Sequence, residues 1–231
     1  HPDAWNCKAN RRTENEMLFC EVLMMKLSKH YDRIELCLHP SISDVRGFDW
    51  FNYHTPECGR VQIYPQYTAQ AALQPMELIR SEARSSRRRE EKYATSRENL
   101  HFALDGTVGE LVSLYDETFL RQGTKLTQIE LNITEQFART LLAQNLGVIA
   151  VVRDENNQAK TTGLLMFDHH KLVHLPVVGS SDTRYGGTML YFGMMHHAAE
   201  LGFTLMDFNG ANSPARGYFK HSIGAKVQLY F

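Results

Sequence analysis

The 231-residue chain lacks any apolar run that could span a bilayer. Its longest runs, such as GVIAVV at 147–152, fall far short of the ~20 residues a membrane helix needs. Cysteine is scarce and scattered. Cys7, Cys20, Cys37 and Cys58 form no C-x-x-C pair, which argues against a disulfide framework or a structural zinc and for reduced thiols in a cytoplasmic protein. The N-terminal stretch HPDAWNCKANRRTENE lacks the apolar centre of a signal peptide. Excess charge of one sign is missing too. A net charge of −1 argues against bulk electrostatic capture of nucleic acid or anionic membrane, so charge-driven binding must be local. What is present is ordinary globular composition, 43% apolar and 22% charged, enough for one large domain or two small ones.

Periodicity divides the chain into elements. Residues 14–30 place Met17, Leu18, Val22 and Met25 on one helical stripe. RIELCLH at 33–39 alternates Ile34, Leu36 and Leu38 and predicts a strand, and GFDWFNY and GRVQIYP predict two more. The segments 108–123 and 134–145 read as amphipathic helices, the second with Thr134 as N-cap. GVIAVVRD, KTTGLLMF and LVHLPVVG, broken by polar turns, predict an antiparallel meander with two continuous apolar strands buried on both faces. A helix over 186–202 ends at Gly202, and a strand follows at 203–208. A short helix with Ser213 as N-cap, Pro214 at its first position and Gly224 as terminator precedes the final strand KVQLYF. From residue 100 onward the expected order is α-α-β-β-β-α-β-α-β, a mixed α/β sheet.

Two stretches carry more charge and glycine than packing requires. RSEARSSRRREEKYATSR at 80–97 holds seven basic and three acidic residues, a local +4. It reads either as a solvated helix with side-chain ion pairs or as an anion-binding face that includes Arg88. MDFNGANSPARGYFKHSIGA at 206–225 sets Asp207, Asn212, Arg216, Phe219 and Lys220 around a strand end and one short helix. A buried Asp207 must be hydrogen-bonded or act as a base. Arg216 either pairs with it or faces a ligand, and Phe219 reads as packing beside Lys220. The histidine pairs are poor ligand sets. His196 and His197 are adjacent on a helix and so share no face, and His169 and His170 occupy a turn, so no metal is expected.

Three stretches together resemble the GNAT acyltransferase fold, and more specifically the Fem aminoacyltransferase-like group of bacterial envelope and polysaccharide synthesis. They are RRREEKYA at 87–94, RYGGTMLYFGMMHHAAELGFTLMDFNGA at 184–211, and GYFKHSIGA at 217–225. The resemblance covers the C-terminal two-thirds. It implies a partial first GNAT-like lobe at 1–78, an Arg-rich connector at 79–99 and a complete GNAT-like lobe at 100–231.

The resemblance also implies a chemistry. Such a protein transfers an acyl or aminoacyl group to an amine of an envelope or polysaccharide precursor, with acyl-CoA or aminoacyl-tRNA as donor and a phosphorylated substrate as partner. Two alternatives stand beside it: an acetyl-CoA-dependent N-acetyltransferase of small molecules, and a degenerate lobe that binds without turnover. The donor would lie where LVHLPVVG and FTLMDF part, with Pro176 either opening that gap or marking a bulge. Arg184, Gly186, Gly187 and Thr188 would meet donor phosphate at a helix start, unless the glycines serve only the turn. Met189 stands where acetyl-CoA-dependent members carry a small residue. Lys220 would present a mobile ammonium to substrate phosphate and the reacting centre, or else complement its helix C-terminus.

Overall fold

A computed structural model of the chain describes residues 8–42 and 44–231. Cys7 and the start of the stretch read for a signal peptide lie outside the described residues. The chain divides into two compact units, one running to Tyr67 and including Gln228–Phe231, the other Thr68–Val227. No described helix is long and apolar enough to cross a membrane.

The first unit is built on helix α1 (Ala9–Leu27) and the short helix α2 (Arg46–Asp49). Their contact is a small cluster of Cys20, Met24 and Phe48, flanked by Leu23, Ile34, Leu38 and Phe51. The helix expected near 14–30 is present, but its buried stripe is rotated: Leu18, Val22 and Met25 are exposed. Apolar residues encircle α1, so periodicity alone did not choose the face. Close approach does. A Cβ on Gly47 would lie 2.8 Å from that of Cys20. The three strands expected at 33–39, 47–53 and 59–65 do not form. Side chains close these segments in place of a ladder. Asn52, left-handed at φ 54°, donates from Nδ2 to Gly59 O at 2.8 Å, and Arg60 reaches Asp49 O at 2.7 Å.

The second unit carries the sheet, apart from Gln66 and Tyr67 of its first strand and the residues from Gln228 in its last. Its elements are β1 (Gln66–Ala72), α3 (Glu77–Ser81), α4 (Ser85–Ser96), β2 (His101–Ala103), α5 (Val108–Arg121), α6 (Gln128–Ala143), β3 (Gly147–Arg153), β4 (Ala159–Phe167), β5 (Leu172–Ser180), α7 (Gly186–Glu200), β6 (Leu205–Asp207), α8 (Pro214–Ser222) and β7 (Lys226–Tyr230). The seven strands form one mixed sheet in the order β2-β3-β4-β5-β6-β1-β7. The expected order from α5 to β7 is observed, as is the antiparallel meander β3-β4-β5. β2 and β1 are additions. The first is three residues long, and QYTAQAA has little β-branched character to announce the second.

Two helix starts are fixed by side-chain oxygens. Thr107 and Thr127 each cap a helix through a reciprocal box with Glu110 and Glu130. Thr134 is therefore not an N-cap. It lies inside α6 and donates to Glu130 O at 2.9 Å. α7 packs on one face of the meander with Leu190, Phe192 and Met194 fully buried, while α5 and α6 cover Ile149 and Leu164 on the other. Each such side chain contributes roughly 1.5–3 kcal/mol by leaving water.

Candidate functional site

The sheet opens where β5 and β6 meet. They are parallel and pair at Leu172–Leu205, Val173–Met206 and His174–Asp207. β6 then ends, and β5 runs on to Ser180 with no strand partner on that side among the described residues. On its other side the register against β4 slips. Leu164 faces Val177, yet Met166 faces His174, so β5 carries one extra residue at Leu175–Pro176. Pro176 sits in this bulge and has no N–H to give to a ladder. The bulge and the parting of the strands thus occur at one place. Crevices at the carboxyl ends of parallel strands are where α/β folds bind ligands.

One wall is α5. A Cβ on Gly179 would lie 2.4 Å from the backbone nitrogen of Tyr115, so the glycine lets α5 sit directly on the end of β5. The opposite wall is aromatic: Tyr191 of α7 packs edge-on against Phe208 and Phe219, with ring centroids 5.1 and 5.0 Å away. Burial pushes the phenols of Tyr115 and Tyr191 up from their ordinary range, against the opposing charge of Arg216. Both stay protonated at neutral pH. Arg216 is exposed, and its charge is felt on α5, α7 and α8 at once. It does not pair with Asp207.

The loop between β6 and α8 is held from inside. Asp207 is buried and accepts from Thr68 Oγ1, from Gln70 Nε2 at 2.8 Å and from Asn209 N at 2.7 Å. Its hydrogen-bonding neighbours come from β1 and from the turn that follows β6. The mobile ammonium expected at Lys220 is absent. Lys220 is buried, and its Nζ donates to the carbonyl oxygens of Phe208 at 2.6 Å, Asn209 at 2.5 Å and Gly210 at 2.7 Å. All three of its donors are used within the loop. Burial, then the nearby Arg216, push this amine down to about 8, with Asp207 opposing. Asn212 is exposed on the same loop.

The start of α7 forms the entrance. Tyr185 is left-handed at φ 64° and supplies no capping oxygen, which leaves the first-turn N–H groups for an anion. A Cβ on Gly186 would lie 2.7 Å from Thr161 Oγ1, whereas one on Gly187 would meet only Phe219, at 3.8 Å. Arg184 is exposed, its guanidinium 4.8 Å from the Tyr185 ring. Thr188 is buried and donates to Glu90 at 2.7 Å, so its hydroxyl faces α4. Met189 is buried in the core and does not fill the entrance.

The structure therefore gathers Asp207, Lys220, Phe219, Gly186 and Gly187 around the strand opening. Arg88 is turned away from it and donates to Arg80 O and Ala83 O at the end of α3, at 3.0 and 2.8 Å. Tyr115, Tyr191, Thr68 and Gln70 were not picked out by sequence, and Arg87 and Glu90 were seen only as part of the charged stretch at 80–97. The spacing of the tyrosines, Thr68 and Gln70 looks like packing, and only the three-dimensional meeting of α4, α5, α7 and β1 brings these residues together. Among the described residues no three His, Cys, Asp or Glu side chains gather to hold a metal. Burial holds His196 and His197 below their ordinary range.

Residues 81–220 match the family model described as "Acetyltransferase (GNAT) domain". No curated protein matches the chain by sequence. Among solved structures, FemX superposes with a TM-score of 0.61 at 14% identity over 73% of this chain and 61% of its own. L-PGS from Bacillus licheniformis gives 0.54 at 14% identity, over 78% and 64%. A protein of unknown function from Bacteroides thetaiotaomicron gives 0.62 at 8% identity, over 93% and 74%. The chain thus spans less than two-thirds of FemX and of L-PGS.

Proposed function

Because the chain belongs to the family of GNAT acetyltransferase domains, we propose that it transfers an acyl or aminoacyl group to an amine of a cell-envelope or polysaccharide precursor. The observation that carries this reading is the edge of β5 beyond His174, unpartnered and bulged at Pro176. An extended donor arm can lie along that edge with its phosphates at the α7 entrance beside Arg184. Holding donor and acceptor in line removes much of the entropic barrier, and strand N–H groups without ladder partners can meet the developing oxyanion. The acceptor nitrogen bonds to the carbonyl carbon and gives up a proton, the bond to sulfur or oxygen breaks, and the leaving group takes up a proton, so that a group which donates one is restored by the proton the amine loses. Tyr191 or Tyr115, kept protonated, can donate one. Asp207, already accepting three hydrogen bonds, orders the β6–α8 loop. The envelope acceptor rests on the resemblance to the Fem group, with which the FemX fold agrees.

A second reading, acetyl-CoA-dependent acetylation of a small amine, is favoured by Met189. Its side chain is spent in the core, so the entrance is not closed to the pyrophosphate of coenzyme A.

The test is to offer the full chain acetyl-CoA and, separately, aminoacyl-tRNA, with amino-sugar and peptide-bearing envelope precursors as acceptors, and to read products by mass. An aminoacyl or acyl increment on a precursor supports the proposal. Acetylated small amines alone select the second reading. No product with any donor, alongside measurable precursor binding, would leave a binding lobe in place of an enzyme.

A further inference from the structure

Helix α4 lies outside the opening between β5 and β6, yet one of its faces touches both helices that border it. Arg87 donates from Nε to Ser222 Oγ at 2.7 Å, and its guanidinium carbon is 4.7 Å from the Phe219 ring centre. Both partners are on α8. From Nη1 the same side chain donates to Glu90 at 2.6 Å and to Thr188 Oγ1 at 3.4 Å, and Thr188 in turn donates to Glu90 at 2.7 Å. Thr188 is in the first turn of α7. Ser222 passes the link on to Phe219 O at 2.6 Å, and Arg84 N donates to Ser222 O at 2.9 Å. Thr188 and Ser222 are buried, so these bonds lie where water competes poorly.

A solvated ion pair on a helix face would need none of this. An i,i+3 arginine–glutamate pair in water contributes little to stability and touches nothing else. Here the guanidinium fork serves three directions at once, as its fixed planar donors allow and a lysine could not.

We infer that the Arg87–Glu90 pair is a positioning unit, setting the α7 entrance and the α8 wall of the candidate site in register with each other. The transferase reading supplies the consequence for activity, but the coupling itself is a property of the folded chain. Arg87→Met should therefore loosen both helix ends, although neither touches the other through this network without α4.

Amide hydrogen exchange on the full chain tests it without any ligand. Arg87→Met should speed exchange about tenfold in both 189–191 and 217–222, while β3–β4 amides keep wild-type rates. Thr188→Val should reproduce the α7 half only, and Thr188→Ser, which keeps the hydroxyl, should restore it. Unchanged exchange in either segment of Arg87→Met, or a uniform rise across the whole domain, would overturn the inference. A parallel titration with coenzyme A keeps the two ideas apart. Failure of the wild-type chain to bind it counts against the acetyl-CoA reading and leaves the exchange result to decide the positioning.

Discussion

Lys220 donates from Nζ to the main-chain oxygen of Phe208 at 2.6 Å, and with its two further carbonyl contacts it closes the β6–α8 loop from within. A lysine so engaged shapes the site rather than reaching into it. Lys220→Met keeps the length of the side chain but leaves three carbonyls without their donor. It should lower the unfolding free energy by about 2–3 kcal/mol at pH 7, read by urea denaturation. A change within about 0.5 kcal/mol would mean that water replaces the ammonium without cost.

The same amine gives the fold a pH signature. Its folded value is pushed down to about 8 from 10.5, so between those values the unfolded chain binds the proton that the folded chain has released. Stability contributed by this group therefore rises with pH across that window, and below about 8 the cost of burying the charge is present in full. The difference in unfolding free energy between wild type and Lys220→Met should widen in favour of wild type from pH 8 to 10. A flat difference would place the amine's titration at its ordinary value.

Gly179 is the point where α5 touches the open strand. Adding a methyl group would put carbon 2.4 Å from Tyr115 N and 2.5 Å from the carbonyl carbon of Leu114, both backbone atoms that cannot swing aside. Gly179→Ala should cost about 2 kcal/mol or more as α5 is pushed from β5, with a matching drop in melting temperature. Gly187→Ala, whose methyl group would meet only the Phe219 ring, should be tolerated. Equal stability of the two variants would show that α5 yields freely.

The sheet region was legible because its signals are local. Continuous apolar runs at 147–152 and 163–167 mark strands of the sheet core, and Pro214 and Gly202 punctuate helices on steric grounds that tertiary contacts do not reverse. The first 67 residues misled because alternation at Ile34, Leu36 and Leu38 is also what an irregular segment shows when it leans on a small cluster; Leu36 is in fact exposed. Asp207 was readable as a buried carboxylate needing partners, but not which ones, since Thr68 and Gln70 arrive from a strand with no sequence signature. Lys220 was placed correctly in the chain and wrongly in solvent. Nothing in F-K-H-S says that a turn of carbonyls will fold over the amine.

Arg184 separates the entrance from the scaffold. It is exposed, and the contact the structure gives it is the Tyr185 ring, so Arg184→Ala should leave the melting temperature within the range of ordinary surface changes, about 0.5 kcal/mol. If donor phosphate sits at the uncapped start of α7, loss of a guanidinium there removes charge-assisted hydrogen bonds and should weaken binding about tenfold. Calorimetry with coenzyme A at two salt concentrations reads this directly, because the wild-type affinity should fall with salt and that of the variant should fall less. Arg184→Lys should recover part of the loss, since it keeps the charge without the fork. Equal affinity and equal salt dependence in wild type and Arg184→Ala would move the phosphate site elsewhere and take with it the assignment of the α7 entrance to the donor.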